Sequence, residues 1–405
     1  MRILLFLLSF SLICFSPSFA QQIKTDVLVY GNGPGAVAAA IQSARSGVKT
    51  ILVFDKISWA GQKSLAVHPA LSYGIWAEFA KNYSIITENK GQEPKFFRID
   101  GERAEGVLKS MADTVKRLTL IKSAKINSIK AVGKGWEFRL ADGKKIKSKI
   151  LLDATAAHLA LQMLKVAPPT GKSIGTQGNN ELFRTTVAAI DTFKILPISA
   201  LIPEKTEYLV VLPKLLESEI ATVHAGQAAG ATAAFCAFFN TSTQKLDVRT
   251  IQSELLTYRS SLFPLADVLP GDSSFIKIQH QAVSGILNKG FIHQADGIYF
   301  QTKETLSSEE LKSPMKSFYS RSQIWFADHR SEKLSIREGI DLLMYTATRG
   351  EELRREIERG WKTNLGFSSA YEASRPLNRK EFAILLDTYL QPFSVKVNLK
   401  GQLLN

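Results

Sequence analysis

The sequence predicts an α/β fold: a mostly parallel sheet carrying an antiparallel meander, followed by a mainly helical C-terminal domain. Three features carry that expectation. Apolar strand-like runs flank an alanine-rich helical stretch between Asp26 and Phe54. Several short strand-like runs separated by turn residues fill 118–155. Beyond Asp247 alanine falls, charge rises and helix-opening signatures recur. A chain of 405 residues, 45% hydrophobic and 22% charged, is long and apolar enough for two or three domains with a large core.

The first segment, MRILLFLLSFSLICFSPSFA, has a basic start at Arg2, an apolar centre and small residues Ser18 and Ala20 before Gln21. It predicts a signal peptide at 1–20 and hence an exported chain, periplasmic or secreted. The apolar part is short for a membrane span, which needs about 20 residues. No later run is long enough to cross a bilayer, and Cys14 follows Ile13, too large for a lipoprotein site. Past the leader a single cysteine remains, Cys236, in an Ala- and Phe-rich helical pattern. That excludes an internal disulfide framework and predicts a buried, inert thiol. The net charge of +14 fits dispersed surface lysines, and also attraction to anionic envelope polymers or acidic substrates. No Lys/Arg run interleaves with aromatic residues, so nucleic acid is set aside as a partner.

Asp26–Tyr30 has the length and apolarity of a buried parallel strand. Gly31-Asn-Gly-Pro-Gly-Ala36 follows, then VAAAIQSARSG reads as a helix ending at Gly47, and Lys49–Phe54 as a second strand with Asp55 directly after it. The glycine pattern is G-x-G-x-x-A at Gly31, Gly33 and Ala36, the fingerprint of a dinucleotide-binding Rossmann unit. Gly31 permits the tight turn, Gly33 lets the backbone approach a pyrophosphate, and Ala36 lets the helix lie close to the strand. The helix N-terminus around Pro34 and Gly35 offers N–H groups and a partial positive charge. Asp55, with Lys56 beside it, stands where a ribose hydroxyl is bound, and a carboxylate there disfavours a 2′-phosphate. The alternative is a tight turn without a ligand.

The runs LTLIKSAKINSIKAV, GWEFRLADG and KKIKSKILLDAT predict a meander with a hairpin at Ala141–Gly143, returning to the apolar strand Ile150–Asp153. This order resembles the FAD-dependent oxidoreductases with a glutathione-reductase-type Rossmann fold, related to fumarate-reductase flavoproteins. Their DATG strand matches Asp153-Ala154-Thr155, with Ala156 in place of Gly; their GqAAGtAAA helix resembles Gly226-Gln227-Ala-Ala-Gly230. The likeness covers roughly residues 24–240. It implies FAD, with Ala154 and Thr155 close to it and a helix N-terminus near Gly226 and Gln227 turned toward the flavin. Two departures stand out: only Gly61 marks the loop Trp59–Leu65, where the family has a Gly-rich loop, and about 70 residues separate the DAT strand from the GQAAG helix.

Hydride transfer at a flavin usually needs a nearby acid or base. By the same resemblance the segment after Asp55 faces the flavin, which makes His68 and Tyr73 candidates, with His224 just before the GQAAG helix. A histidine there can exchange a proton near neutral pH. Each is more readily read as a surface or satisfied core residue, and His158 as structural. No spacing fits a metal site, and no G-x-S-x-G elbow points to a hydrolase.

A boundary near 245 divides 21–245, the FAD-binding oxidoreductase domain, from the C-terminal domain 246–405. Leu306-Ser-Ser-Glu-Glu310, Leu334-Ser-Ile-Arg-Glu338 and Leu377-Asn-Arg-Lys-Glu381 each fit a capping box, with Pro314 cutting the first helix short. The arrangement is similar to S-layer-homology modules, which implies contact with cell-envelope glycans. The first reading is thus an exported FAD-dependent oxidoreductase acting on a small organic substrate, by family analogy a sugar-derived alcohol or acid. The second is a non-enzymatic glycan- or envelope-binding protein on a degenerate flavoprotein scaffold. The third is an NAD-dependent dehydrogenase, against which the meander and the GQAAG helix speak.

Overall fold

The computed structural model describes residues 22–59, 64–83, 95–123, 126–177, 180–214, 216 and 218–404. The leader at 1–20 and most of the altered loop, 60–63, lie outside them.

The chain opens with β1 (Gln22–Tyr30), α1 (Pro34–Arg45) and β2 (Thr50–Phe54). Pro34 at the first helical position starts α1, and Gly47 at φ +92° ends it. Next come β3 (Ser64–Val67), α2 (Gly74–Asn82) and β4 (Lys95–Arg98), with β3 and β4 paired antiparallel. Asp100 caps α3 (Gly101–Asp113), its Oδ1 accepting from the Arg103 amide at 2.8 Å. Then follow β5 (Leu118–Lys122), β6 (Ile126–Ala131), β7 (Trp136–Leu140) and β8 (Lys145–Asp153).

The main sheet runs β5-β2-β1-β8-β7-β6, and β12 (Leu209–Val211) pairs with the end of β8. Strands β1, β2, β5, β8 and β12 are mutually parallel; β6, β7 and the first half of β8 form the antiparallel meander. The hairpin falls at Ala141–Gly143 as expected, with Gly143 at φ +83°. One correction concerns Leu118–Lys122, expected as the first meander strand. It is the outer parallel strand on β2, because α3 buries Ala104, Leu108 and Met111 and carries the chain back to the start of the sheet. Successive strand residues face opposite sides. Val27 and Val29 join the large core with α1 and the later helices, while Leu28 and Tyr30 join a second core under the meander.

After β8 come α4 (Leu159–Leu164), β9 (Ile174–Gly175), α5 (Asn180–Phe183), β10 (Thr186–Asp191) and β11 (Lys194–Pro197); β9, β11 and β10 form a small antiparallel sheet. Ser218 caps the long α6 (Glu219–Phe238).

The rest is mainly helical: α7 (Val248–Thr257), α8 (Phe275–Ser284), the hairpin β13 (Ile292–Gln294) and β14 (Gly297–Tyr299), then α9 (Ser308–Phe318), α10 (Ser322–Asp328), α11 (Ile336–Ala347), α12 (Glu351–Gly360) and α13 (Arg379–Tyr389). These residues share the large core with the sheet. The Gln252 amide donates to the carbonyls of Arg184 and Thr186, at 3.0 and 2.8 Å, which ties α7 to β10 across the boundary near 245.

Capping boxes form at Ser335/Glu338 and Asn378/Glu381. At Ser307 only half a box forms: its hydroxyl accepts from the Glu310 amide, while the Glu310 carboxylate pairs instead with the buried Arg379. Pro314 lies inside α9 rather than ending it. A proline removes one donor, and here the helix continues to Phe318, with Leu311 and Met315 buried on either side of it. The turn after β14 is held internally, since the amides of Phe300 and Gln301 donate to the Asp267 carboxylate at 2.7 and 2.9 Å.

Candidate nucleotide-binding cleft

A cleft of about 670 Å³ opens where the carboxyl ends of β1, β2, β5, β8 and β12 converge. This is where strand order reverses, with β2 and β5 to one side of β1 and β8 and β12 to the other. Open α/β sheets bind ligands at such a switch point.

The glycines of the motif divide their labour. A Cβ on Gly31 would lie 2.5 Å from the Ala154 carbonyl oxygen, so Gly31 seats the end of β8 against β1. A Cβ on Gly35 would lie 2.7 Å from side-chain atoms of Leu212 and Thr222, so Gly35 seats α6 against α1. Gly33 differs: a Cβ there meets no protein atom within 4 Å, and the residue lines the cleft. Ala36 also lines it and is otherwise buried. Pro34 supplies no N–H, and the Ala36 and Val37 amides bond back to the Gly33 carbonyl. Among the described residues the amides of Gly33 and Gly35 have no acceptor, and they stand at the positive end of α1. That cradle fits a diphosphate.

Asn32 was not singled out from sequence, yet it fixes the mouth of the cleft. Its side-chain oxygen accepts from the Asp55 amide at 3.0 Å, and its carbonyl from the Ser58 amide at 2.9 Å. The turns after β1 and β2 are thereby locked together, with the Asp55 carboxylate exposed at the cleft wall. Ser58 and Ser123 line the same wall, each just past a parallel strand, and that position is the signal by which they could have been found.

On the opposite wall stand Ala154, Thr155, Ala156 and Ala157. Asp153, fully buried, organises them: its carboxylate accepts from the Thr155 amide and hydroxyl, at 3.0 and 2.6 Å, and from the amides of Ala160 and Leu161 at the start of α4. The preference for Asp in this motif is thus a folding requirement. His158 bonds through Nε2 to the Leu212 carbonyl at 2.8 Å, a structural role. That contact anchors Leu212, Pro213 and Lys214 at the rim, where Lys214 is the one cation among the described lining residues. Tyr30 lines the floor, and burial, then the Asp153 and Asp55 carboxylates, hold its hydroxyl protonated beyond the usual range.

Several expected residues lie elsewhere. Lys56 pairs with Glu105 on α3 at 3.1 Å and is not part of the cleft wall. Gly226 and Gln227 do not sit at a helix N-terminus, because α6 begins at Glu219, two turns earlier; Thr222 is the α6 residue that reaches the cleft. A Cβ on Gly226 would collide with the Gly35 carbonyl, and one on Gly230 with the Ala39 carbonyl, so these two glycines let α6 lie on α1 backbone to backbone. Gln227 is buried, its oxygen accepting from the Ile75 amide at 3.1 Å and its amide donating to Gln42 at 2.9 Å.

The candidate proton-transfer residues are largely enclosed. Tyr73 and His224 stack at 3.7 Å between ring centroids in the core. The Tyr73 hydroxyl donates to the Ala189 carbonyl, and burial pushes its pKa well up. His224 Nε2 bonds to the Leu71 carbonyl at 2.9 Å, and burial pushes its pKa down to about 3. The expectation of proton exchange near neutral pH therefore does not hold for His224. His68 caps a short turn at Pro69–Leu71, its Nδ1 accepting from the Ala70 amide at 3.1 Å; burial lowers its pKa too, against the nearby Asp296 and Asp191. Cys236 is buried and its thiol is pushed up to about 12, the inert state expected. Among the described residues there is no group of three or more His, Cys, Asp or Glu able to hold a metal ion, and no helix long and apolar enough to cross a membrane.

No curated protein matches the chain. Among solved structures, the anhydrotetracycline hydroxylase OxyS from Streptomyces rimosus is similar at 16% identity, over 37% of this chain and 35% of its own, with a TM-score of 0.29. The bacillithiol disulfide reductase Bdr from Staphylococcus aureus is similar at 13% identity, over 33% of this chain and 38% of its own, with a TM-score of 0.23. The chain thus spans little more than a third of either. GidA from Aquifex aeolicus is similar at 12% identity over 91% of this chain and 88% of its own, with a TM-score of 0.41. Residues 26–167, which build most of the cleft, match the family model of FAD dependent oxidoreductases, and the cofactor that goes with that match is FAD.

Proposed function

We propose that the protein is an exported FAD-dependent oxidoreductase acting on a small organic substrate. The observation that carries this reading is Gly33, the motif glycine whose missing side chain leaves open cleft rather than a packing contact. The amides of Gly33 and Gly35 would hold the diphosphate, Asp55 a ribose hydroxyl, and Ala154 and Thr155 the far wall. Bound flavin supplies two-electron transfer. The chain's own part is to orient it: Asn32 sets the spacing of the two turns, Asp153 fixes the 154–157 wall, and the first turn of α6 adds a second positive helix end beside Thr222. Tyr73 and His224 act as scaffold. His68 is likewise buried and does not line the cleft, so none of the three histidine and tyrosine candidates stands where the flavin would lie.

The visible spectrum of the purified protein, with and without added FAD, tests this. Bound oxidised flavin that bleaches with a reductant supports the reading. A colourless protein that takes up no FAD sinks it. Determining the first residue of the mature chain tests export, with Gln21 as the expected start.

A further inference from the structure

We propose that the end of the sheet opposite the cleft docks on an anionic lipid surface. The parallel strands place their amino ends on this side. A groove of about 380 Å³ there is lined by Lys24, Lys49, Lys134, Lys147 and Lys149, together with Val132. Lys147 pairs with Glu137 and Lys149 with Asp26. Lys24, Lys49 and Lys134 are exposed and have no carboxylate partner among the described residues. The Lys149 ammonium also donates to the Ala237 carbonyl at 3.3 Å, which joins the groove to the C-terminal end of α6.

At that end Phe238 and Phe239 are 65% and 56% exposed, edge to face at 5.1 Å. An adjoining hollow holds Phe235, Phe239 and Leu404, with Lys245 at its rim and Lys396 there paired with Asp247 at 3.5 Å. Lone exposed apolar residues are ordinary, but a phenylalanine pair continuous with Leu404 and next to the lysine-lined groove is not. Rings that enter the acyl boundary while ammonium groups meet anionic headgroups are the chemistry of an interfacial contact. A charge of +14 favours an acidic film over a neutral one. The cleft, at the other ends of the strands, would face away from the lipid. Docking of this kind depends on neither the cofactor nor the reaction.

The test is cosedimentation of the purified protein, its first residue identified by mass spectrometry, with vesicles of phosphatidylcholine alone or with about one third phosphatidylglycerol. Binding is expected to the anionic vesicles and to weaken with salt. The triple variant Lys24→Glu, Lys49→Glu, Lys134→Glu should bind roughly 100-fold more weakly, and Phe238→Ser with Phe239→Ser about tenfold or more. All five side chains are exposed, and an unchanged melting temperature would show the fold intact. Equal binding to neutral vesicles, or either variant binding like the parent, overturns the proposal. So does self-association through the phenylalanine pair in a protein that ignores anionic vesicles.

Discussion

Replacing Gly33 by valine separates binding from folding unusually cleanly. The residue sits at φ −85° and ψ 176°, extended backbone that any residue adopts, and its Cβ would point away from all protein atoms within 4 Å. An apolar residue at this helix cap costs about 0.5–1 kcal/mol. Loss of glycine's freedom in the unfolded chain offsets about 0.4–1 kcal/mol of that. The melting temperature should therefore stay nearly constant. Binding should not: the branched side chain fills the space a diphosphate needs to reach the Gly33 and Gly35 amides. Hydrogen bonds to a charged group contribute about 1.5–3 kcal/mol each. Losing one or two is about 2–5 kcal/mol, or roughly 30-fold to several thousandfold in Kd. FAD titration by calorimetry, beside a thermal melt, reads both quantities. Gly35→Val is the control: with its Cβ 2.7 Å from Leu212 and Thr222, it should lower the melting temperature directly. If Gly33→Val binds FAD within a factor of about three of the parent, the diphosphate does not lie over this turn.

Gly230→Ala drives a methyl into the Ala39 carbonyl and should destabilise the chain by roughly 1–3 kcal/mol; an unchanged urea midpoint would mean the two helices do not touch there. His224 stays neutral in the folded chain down to about pH 3, whereas in the unfolded chain an imidazole protonates below 6.5. Its contribution is full above pH 6.5 and is lost as pH falls from there toward 3, at about 1.4 kcal/mol per unit. His224→Phe, which keeps the stack on Tyr73, should flatten that acid limb in melting temperature against pH; an unaltered limb refutes the assignment. Arg379→Met strands the Glu310 carboxylate and takes the donor from the Phe300 and Leu287 carbonyls, and should cost about 3–5 kcal/mol; Glu310→Leu in the same chain should restore only the part due to the ion pair, and additive losses in a double-mutant cycle would show no coupling.

The parallel sheet was legible because its strands are nearly all apolar and its turn carries glycines at fixed spacing. Gly31, Gly33, Ala36, Asp55, Ala154 and Thr155 stand around one turn system for that reason. Leu118–Lys122 was assigned to the wrong neighbour, since an isolated strand's pattern does not say which edge it joins. The GQAAG glycines were misread because glycine serves two needs that look identical in sequence: clearance for a ligand and clearance for another helix. Only the position of the cap at Ser218, two turns earlier, distinguishes them. The same gap made His224 look reactive, when its ring is closed in by Tyr73 and Leu71. Asn32 was invisible because the motif treats its position as free, although its side chain ties two strand ends together.

The seat of α6 on α1, through Gly35, Ala39, Gly226 and Gly230, has a further consequence. Contacts between side chains can be renegotiated by a change of rotamer or a neighbouring substitution, but peptide resting on peptide has no such slack. The pair works as a rigid gauge, holding two helix ends at a set separation whatever happens to the side chains around them. Loops and helices beyond it can drift, take insertions or be reshaped for a different substrate while the spacing at the cleft stays the same. Innovation and constancy are thereby assigned to separate parts of one chain.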